Sequence, residues 1–306
     1  MSQISLMNGS TFNSLKHRYT VLKTLGQGGF GCVYLLQRSD DAKFAMKTES
    51  VGVEKAYDRL KVEMSVLHEI TKVTDATKKK HFVSLVDGGR TEDFKFVVMN
   101  VLGPSIDNLQ WKSPDNQLEK ATALKVSMQM LNAIANLHAA GFLHRELKPD
   151  NFAIGMHPNA NVVYMFDYGL ARRYIEKDDK LRVPREHVVS LGNEVFASRN
   201  CHNFKEQSRR DDIESWFYIS LHLIDSSIIP WVKETDSDVV SGMKDKLFCN
   251  KDSLPKAPKD VQRIIRHLDC LDYVDMPDYV FLASVITHIG QSEKLDLSGP
   301  LVFHRT

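Results

Sequence analysis

In the first third of the chain, apolar residues occur in short runs of strand length. Five such runs between residues 19 and 100 are predicted as β-strands: YTVLKTL, CVYLLQ, KFAMK, FVSLVDGG and FKFVVMN. One helical pattern, at about residues 54–70, interrupts them. These elements predict a small β-rich lobe over residues 19–100, preceded by a polar, aperiodic and flexible arm at residues 1–18.

The remainder of the chain has helical periodicity over longer stretches. Between residues 121 and 141, apolar side chains recur at three- and four-residue steps, and Gly141 is a typical stop signal. A second strong helical pattern, RRDDIESWFYISLHLI, covers residues 209–224. We therefore predict a helical lobe at residues 103–290 and a C-terminal extension at residues 291–306. The predicted fold class is α+β with two lobes, and a cleft between lobes is a common place for a ligand.

Composition narrows the classes of function. With 40 Lys and Arg against 39 Asp and Glu, the net charge is +1, which argues against a general binder of nucleic acid or of membrane surfaces. The four cysteines include no C-x-x-C pair, so neither a zinc site nor a disulfide framework is indicated. The best apolar run, YVFLASVI, is too short to span a bilayer. We expect a monomeric protein whose partners are proteins. We expect it in the cytoplasm, with the nucleus as a further location.

The stretch LGQGGFGCVYLL places Gly26, Gly28 and Gly31 in a G-x-G-x-x-G spacing. A dinucleotide site needs a helix after these glycines, but here the next residues are strand-like and another strand follows. The glycines are therefore predicted to lie in a hairpin, where backbone N–H groups can approach phosphates. A plain glycine-rich hairpin is an equal alternative on this segment alone.

Two charged residues in the predicted β-rich lobe lie on apolar faces. Alternation in KFAMK puts Lys47 on the same face as Ala45, and Glu63 shares the apolar stripe of the helix at 54–70. A buried carboxylate needs a partner, and Lys47 is the obvious candidate. The alternative is that Glu63 lies at the edge of the stripe, solvated or paired with Lys61.

A series of short motifs follows in the second lobe. The spacing of His144-Arg145-Glu146 and Asn151 resembles the catalytic loop H-R-D-x-x-x-x-N of protein kinases, with Lys148 between them. Asp167-Tyr168-Gly169 resembles the D-F-G motif with a conservative Tyr. The motifs follow a glycine-rich hairpin in the order found in protein kinases, and the chain therefore resembles the protein kinases.

Further segments resemble the casein kinase 1 family. The hinge-like VVMNVLGPSIDNL, the stretch EQSRRDDIES and the DMPDY segment are typical of that family, and Ser198-Arg199-Asn200 stands where other kinases carry A-P-E. FLHRELKPDNFAIG and the Val-Pro-Arg at 183–185 look most like its tau-tubulin-kinase branch. The resemblance extends from about residue 19 to about residue 290.

This resemblance implies a bilobal kinase that binds ATP with magnesium and phosphorylates protein serine and threonine, often beside acidic or phosphorylated residues. The glycines would cover the phosphates, and Lys47, positioned by Glu63, would hold the α- and β-phosphates. Adenine would lie against the gatekeeper Met99 and the backbone from Asn100 to Leu102.

The resemblance also implies roles in the second lobe. Asn151 and Asp167 would coordinate magnesium, and Lys148 would reach the γ-phosphate. Asp212 would brace the catalytic loop, in which Glu146 occupies the position of the catalytic aspartate.

The chain departs from the family on the substrate side. Glu146 has one methylene more than Asp, and misplacement of a catalytic group by ~1 Å can cost roughly 100-fold in rate. Asn193 replaces a Thr that bonds the catalytic Asp and the loop Lys, although its amide can still donate. Leu191 and Val195 replace arginines of an anion pocket.

Arg182 and Arg185 either supply part of that anion pocket or are ordinary surface arginines. We therefore expect normal Mg·ATP binding, weak transfer, and loss of the preference for acidic or phosphorylated substrates. The alternative is a pseudokinase, in which ATP stabilises a scaffold. A dinucleotide-dependent oxidoreductase is disfavoured, because the chain lacks an alternating β–α pattern.

Overall fold

The computed structural model describes residues 6–28, 31–51, 58–176, 178–189, 192–250 and 254–303. All structural statements below refer to these residues. None of the helices within them is both long and apolar enough to cross a membrane.

The N-terminal lobe is built on one antiparallel sheet. Its strands are β1 Thr11–Asn13, β2 Arg18–Gly28, β3 Gly31–Arg38, β4 Lys43–Ser50, β5 Leu85–Arg90 and β6 Phe94–Asn100. Their spatial order is β1-β2-β3-β4-β6-β5. Helix α1 (Arg59–Thr71) and the short α2 (Ala76–Lys79) lie between β4 and β5 in the chain.

Alternation along the strands divides the apolar residues of this lobe between two cores. On β6, Phe96 and Val98 contribute to a small core that also contains Tyr19. Val97 and Met99, on the other face of β6, join α1 in the core that continues into the second lobe. The sheet is thus buried on both faces.

The C-terminal lobe is mainly helical. Its helices are α3 Ile106–Trp111, α4 Lys120–Ala139, α5 Arg199–His202, α6 Arg209–Ile224, α7 Ser237–Cys249, α8 Val261–Asp269 and α9 Tyr279–Ser292. Short strands precede and follow the catalytic loop: β7 Leu102–Ser105, β8 Phe142–Leu143, β9 Phe152–Gly155, β10 Val163–Met165 and β11 Arg172–Arg173. The predicted two-lobed α+β fold is confirmed.

Helices α4 and α6 form the centre of this lobe. Trp216 is fully buried, and its indole N–H donates to the backbone oxygen of Ser127 at 2.9 Å. The Ser127 and Ser220 hydroxyl groups are 2.6 Å apart, which satisfies two buried polar groups across the helix pair. Both helices agree closely with their predicted ranges.

Two boundary predictions differ from the structure. Residues 6–18 are not a loose arm, because β1 pairs with β2 and Phe12 stacks on Tyr19 at a ring distance of 5.4 Å. The C-terminal segment is not separate from the domain either. After α9 ends at Ser292, the chain returns to α4, where Lys125 Nζ donates to the backbone oxygen of Gly299 at 3.2 Å.

Candidate active site

A cleft of about 330 Å³ lies between the lobes. Its walls are apolar near the hinge, with Leu25, Val33, Ala45 and Met99 contributing from the sheet and Ala153 from the helical lobe. An apolar slot closed by a strand backbone at one end suits a flat aromatic base.

The hinge is the strand connection between β6 and β7. Met99 is 9% exposed at the cleft wall. The Asn100 side-chain oxygen accepts the backbone N–H of Ser84 at 2.6 Å, so this side chain is tied to the neighbouring loop. Leu102 begins β7 and pairs with Gly155. Asn100, Val101 and Leu102 line the cleft, at the place where the resemblance implies a contact with adenine.

The glycines lie in an antiparallel hairpin, as predicted. Gly28 pairs with Gly31 across β2 and β3, and residues 29 and 30 lie outside the described part of the chain. A Cβ on Gly26 or Gly28 would meet nothing within 4 Å, whereas one on Gly31 would lie 1.8 Å from the Thr48 oxygen. Gly26 and Gly28 line a second part of the cleft, of about 460 Å³, together with Lys47 and Asp167.

Lys47 joins the two lobes through its ammonium group. Its Nζ lies 2.8 Å from Glu63 Oε2 and 2.7 Å from Asp167 Oδ1. Glu63 is 1% exposed, so the predicted pair with Lys47 is present, and the solvated alternative is wrong. Burial lowers the pKa of Lys47, but the two carboxylates outweigh it and hold the pKa above its usual range. Lys47 therefore stays charged near neutral pH.

Asp212, at the start of α6, braces the catalytic loop. Its carboxylate accepts the backbone N–H groups of His144 and Arg145 at 2.7 and 2.9 Å. His138 Nε2 lies 2.8 Å from the same carboxylate, a contact that the sequence reasoning missed. Arg145 has a φ of 67°, in the left-handed region, and this brace stabilises that conformation. Burial raises the pKa of Asp212, but its contacts with His138 outweigh burial and lower it.

Asn151 and Asp167 lie on adjacent segments. Phe166 donates its backbone N–H to the Asn151 backbone oxygen at 3.1 Å, which brings residue 167 close to the loop. The Asn151 amide nitrogen donates to the Glu146 backbone oxygen at 2.8 Å. Burial raises the pKa of Asp167, but Lys47 outweighs it and lowers the pKa, so this carboxylate is ionised.

These donors fit a magnesium ion that is also held by phosphates. Mg²⁺ prefers oxygen ligands and commonly uses one or two protein groups together with a nucleotide. An amide oxygen and an ionised carboxylate, Asn151 and Asp167, are such a set. The described residues contain no cluster of three or more His, Cys, Asp or Glu that could hold a metal without the nucleotide.

Glu146 is half-buried beside the cleft. Its Oε1 lies 3.4 Å from Lys148 Nζ, and its backbone N–H lies 3.3 Å from His144 Nδ1. The loop carboxylate and the loop lysine are thus in contact with each other.

The Asn193 side chain forms hydrogen bonds within its own turn. Its side-chain oxygen accepts the backbone N–H groups of Val195 at 3.0 Å and Phe196 at 3.3 Å. A donation from its amide nitrogen to the catalytic loop, which the residue type allows, is not among the side-chain bonds found in the described residues. Leu191, the neighbouring departure, lies outside the described residues.

The remaining departures concern the anion pocket. Arg185 forms a bidentate pair with Glu206, whose side chain is only 3% exposed, and Arg172 lies 3.7 Å from the same carboxylate. Arg182 pairs with Glu176 at 3.0 Å. Val195 packs against the core. Sequence reasoning missed Glu206 as a partner, since nothing in its local pattern indicates which arginine it meets.

Comparison with known proteins places these features in a family. A family model described as "Protein kinase domain" matches residues 19–209. Two Caenorhabditis elegans proteins named as serine/threonine-protein kinases, ZK507.1 and ZK507.3, are 36% and 34% identical to this chain. The first alignment covers 86% of this chain and 79% of the relative, and the second covers 94% and 74%.

A further relative of the same organism, the serine/threonine-protein kinase spe-6, is 29% identical over 94% of this chain and 76% of its own length. The family match runs through both lobes and includes the hairpin, the paired lysine and the catalytic loop. This chain therefore belongs to the protein kinase domain family, among relatives named as serine/threonine kinases.

Proposed function

We propose that this chain is a serine/threonine protein kinase of the casein kinase 1 family, similar to its tau-tubulin-kinase branch, with reduced turnover. The observation that carries the proposal is the contact of Lys47 with both Glu63 and Asp167. It joins helix α1, the sheet and the Asp167 segment, and its Lys47–Glu63 part is an ion pair that phosphoryl transfer by protein kinases requires.

When bound, ATP with magnesium supplies the phosphoryl group and the positive charge that stabilises its transfer. Lys47 would hold phosphate oxygens, and Glu63 keeps its side chain directed into the cleft. Asn151 and Asp167 would hold the cation. Met99 and the hinge backbone from Asn100 to Leu102 would hold the base.

Glu146 would accept and orient the substrate hydroxyl. Glutamate has nearly the same ordinary pKa as aspartate, so the longer side chain affects the position of the charge more than its availability. The contact with Lys148 at 3.4 Å offsets part of that charge and occupies a lysine that would otherwise face the γ-phosphate. The Asn193 side-chain oxygen binds its own turn, and within the described residues no bond joins Asn193 to Glu146 or Lys148. Weak transfer follows from these contacts.

We also propose that this kinase does not require acidic or phosphorylated residues in its substrate. Arg185 is neutralised by Glu206, and Val195 offers an apolar side chain where the family has an arginine. The partners would be proteins met by a monomeric kinase in the cytoplasm or nucleus.

A second candidate is a pseudokinase that binds Mg·ATP and acts as a scaffold. The contact between Glu146 and Lys148 favours it, because both groups of the catalytic loop would satisfy each other. Nucleotide would then stabilise a docking surface and no phosphate would be transferred.

The test is transfer of labelled γ-phosphate to casein by the wild-type chain, Glu146→Asp and Asp167→Asn. Wild type is expected to exceed the Asp167→Asn background, and Glu146→Asp to exceed wild type roughly tenfold, within the range for a misplaced catalytic group. Thermal shift with and without Mg·ATP on the same samples measures binding.

Three results separate the candidates. Wild-type transfer above background supports the kinase. Transfer equal to background with a retained Mg·ATP shift in wild type supports the pseudokinase. The absence of both would contradict the nucleotide site itself.

A further inference from the structure

We infer that Lys244, on α7, is a positioning residue that holds the 193–197 turn against the catalytic loop. This inference rests on the proposed function, because the turn contains positions that the family resemblance assigns to substrate contact. Lys244 touches none of the residues proposed to bind nucleotide, and it acts through the backbone of the turn.

The turn lies beside the catalytic loop. A Cβ on Gly192, just before the turn, would lie 3.4 Å from the Arg145 backbone oxygen. The turn closes on itself, since Ala197 donates its backbone N–H to the Asn193 backbone oxygen at 2.8 Å. A shift of the turn would therefore change the surface next to Glu146.

Lys244 contacts the turn from helix α7. Its exposed fraction is 0%, and its Nζ donates to the backbone oxygens of Glu194 and Ala197, each at 2.7 Å. The third neighbour is His202 Nε2, on α5, at 3.0 Å. An ammonium has three N–H groups, so each of them has an acceptor here.

The same network holds the side chain of Glu194. His202 Nδ1 lies 3.5 Å from Glu194 Oε2, and the Ser237 hydroxyl donates to that oxygen at 2.8 Å. With Nε2 accepting from Lys244, the ring proton is assigned to Nδ1, facing the carboxylate. Three elements, α5, α7 and the turn, thus meet at one buried amine.

The surroundings of Lys244 disfavour the charged form of its amine. Burial lowers the pKa of Lys244 to about 7, against the attraction of Glu214 and Glu194. The ring of Tyr218 lies 5.0 Å from Nζ and that of Trp231 lies 5.6 Å away. Trp231 also donates its indole N–H to the Val195 oxygen at 2.9 Å. Ionisable groups with strongly shifted pKa values are concentrated at functional sites, which agrees with the role inferred from the geometry.

The test compares Lys244→Met with Lys246→Met, which removes an exposed lysine from the same helix. Lys244→Met removes all three hydrogen bonds of the amine. It is expected to raise the KM for casein roughly tenfold, equivalent to about 1.4 kcal/mol, and to leave the KM for ATP unchanged. Lys246→Met should leave both constants unchanged. A merely structural role of Lys244 would change the KM values for both casein and ATP, or only the yield of folded protein.

A second readout does not depend on activity. The Glu194 side chain is 53% exposed, so glutamyl endopeptidase can report on the turn through a fragment beginning at Val195. Lys244→Met should release this fragment faster than wild type and Lys246→Met. If Lys244→Met does not fold, His202→Gln replaces it, with a smaller change in the same direction.

Equal cleavage and equal KM for casein in the Lys244 variant and its control would overturn the inference. If no variant transfers phosphate, the proposed function fails, and the cleavage comparison alone decides whether Lys244 holds the turn. Faster cleavage with an unchanged KM for casein would overturn the link to substrate.

Discussion

At the scale of single residues, the site depends on buried charges that have partners. Glu63 could be assigned a buried position from its place on the helical stripe, and Lys47 from strand alternation. Their contact at 2.8 Å has a direct consequence for stability.

Lys47→Met should lower the free energy of unfolding, because it leaves the Glu63 carboxylate buried without its partner. The expected loss is about 2 kcal/mol, below the cost for a fully buried pair, since 25% of the Lys47 side chain is exposed. Adding Glu63→Gln should recover part of this loss by removing the unpaired charge. Urea unfolding measures both changes.

The control for the Lys47 and Glu63 variants is Lys72→Met, which breaks the exposed pair with Glu69. It should change the unfolding free energy by less than about 0.5 kcal/mol. A Lys47→Met loss no larger than this control would mean that Glu63 has another partner or is protonated.

At the scale of elements, the close approach of β3 and β4 shapes the roof of the cleft. A Cβ on Gly31 would lie 1.8 Å from the Thr48 backbone oxygen, which belongs to the neighbouring strand. A glycine spacing can be recognised in the sequence, but this difference among the three glycines depends on how the strands pair.

Gly31→Ala should therefore destabilise the N-terminal lobe, because the strands must separate to admit the methyl group. The expected cost is about 2 kcal/mol, as for other overpacked sites. Gly26→Ala is the matched control, since its Cβ would meet nothing within 4 Å. In chemical denaturation, the midpoint of Gly31→Ala should be well below that of Gly26→Ala. Equal midpoints would contradict the close packing of β3 against β4.

At the scale of the whole molecule, the C-terminal segment closes the helical lobe. Leu297 packs against Gly290 on α9, and the Val302 backbone exchanges two hydrogen bonds of 3.1 Å with the Thr122 hydroxyl on α4. The sequence predicts residues 291–306 as a C-terminal extension. Its docking makes it part of the folded domain.

Leu297→Ala should lower the unfolding free energy by about 1.5 kcal/mol, since a half-buried leucine loses most of its apolar contact. Val302→Ala is the control, because Val302 is 44% exposed and bonds Thr122 through its backbone. The two variants are compared by thermal denaturation. Similar melting temperatures would mean that the segment is not held by its apolar side chains.

Much of the fold and of the nucleotide side could be predicted from sequence. Strand alternation, helical periodicity and motif spacing are local properties, so they predicted the two lobes, α4 and α6, and made Lys47 the candidate partner of Glu63. The order of motifs also determined the family resemblance. The partners of side chains at the proposed substrate site could not be predicted in this way. Asn193 is an example, since its side-chain oxygen accepts backbone N–H groups of its own turn.

Local sequence patterns are enough to assign the main helices and strands and to find the residues that carry the candidate chemistry, although they missed β1. Contacts between distant groups follow from the folded arrangement: Arg185 with Glu206, Lys244 with the turn 47 and 50 residues earlier, and Thr122 with Val302 across 180 residues. The physical reason is that a buried polar group must be satisfied by whatever the packing brings within hydrogen-bond distance, and packing is a property of the whole chain.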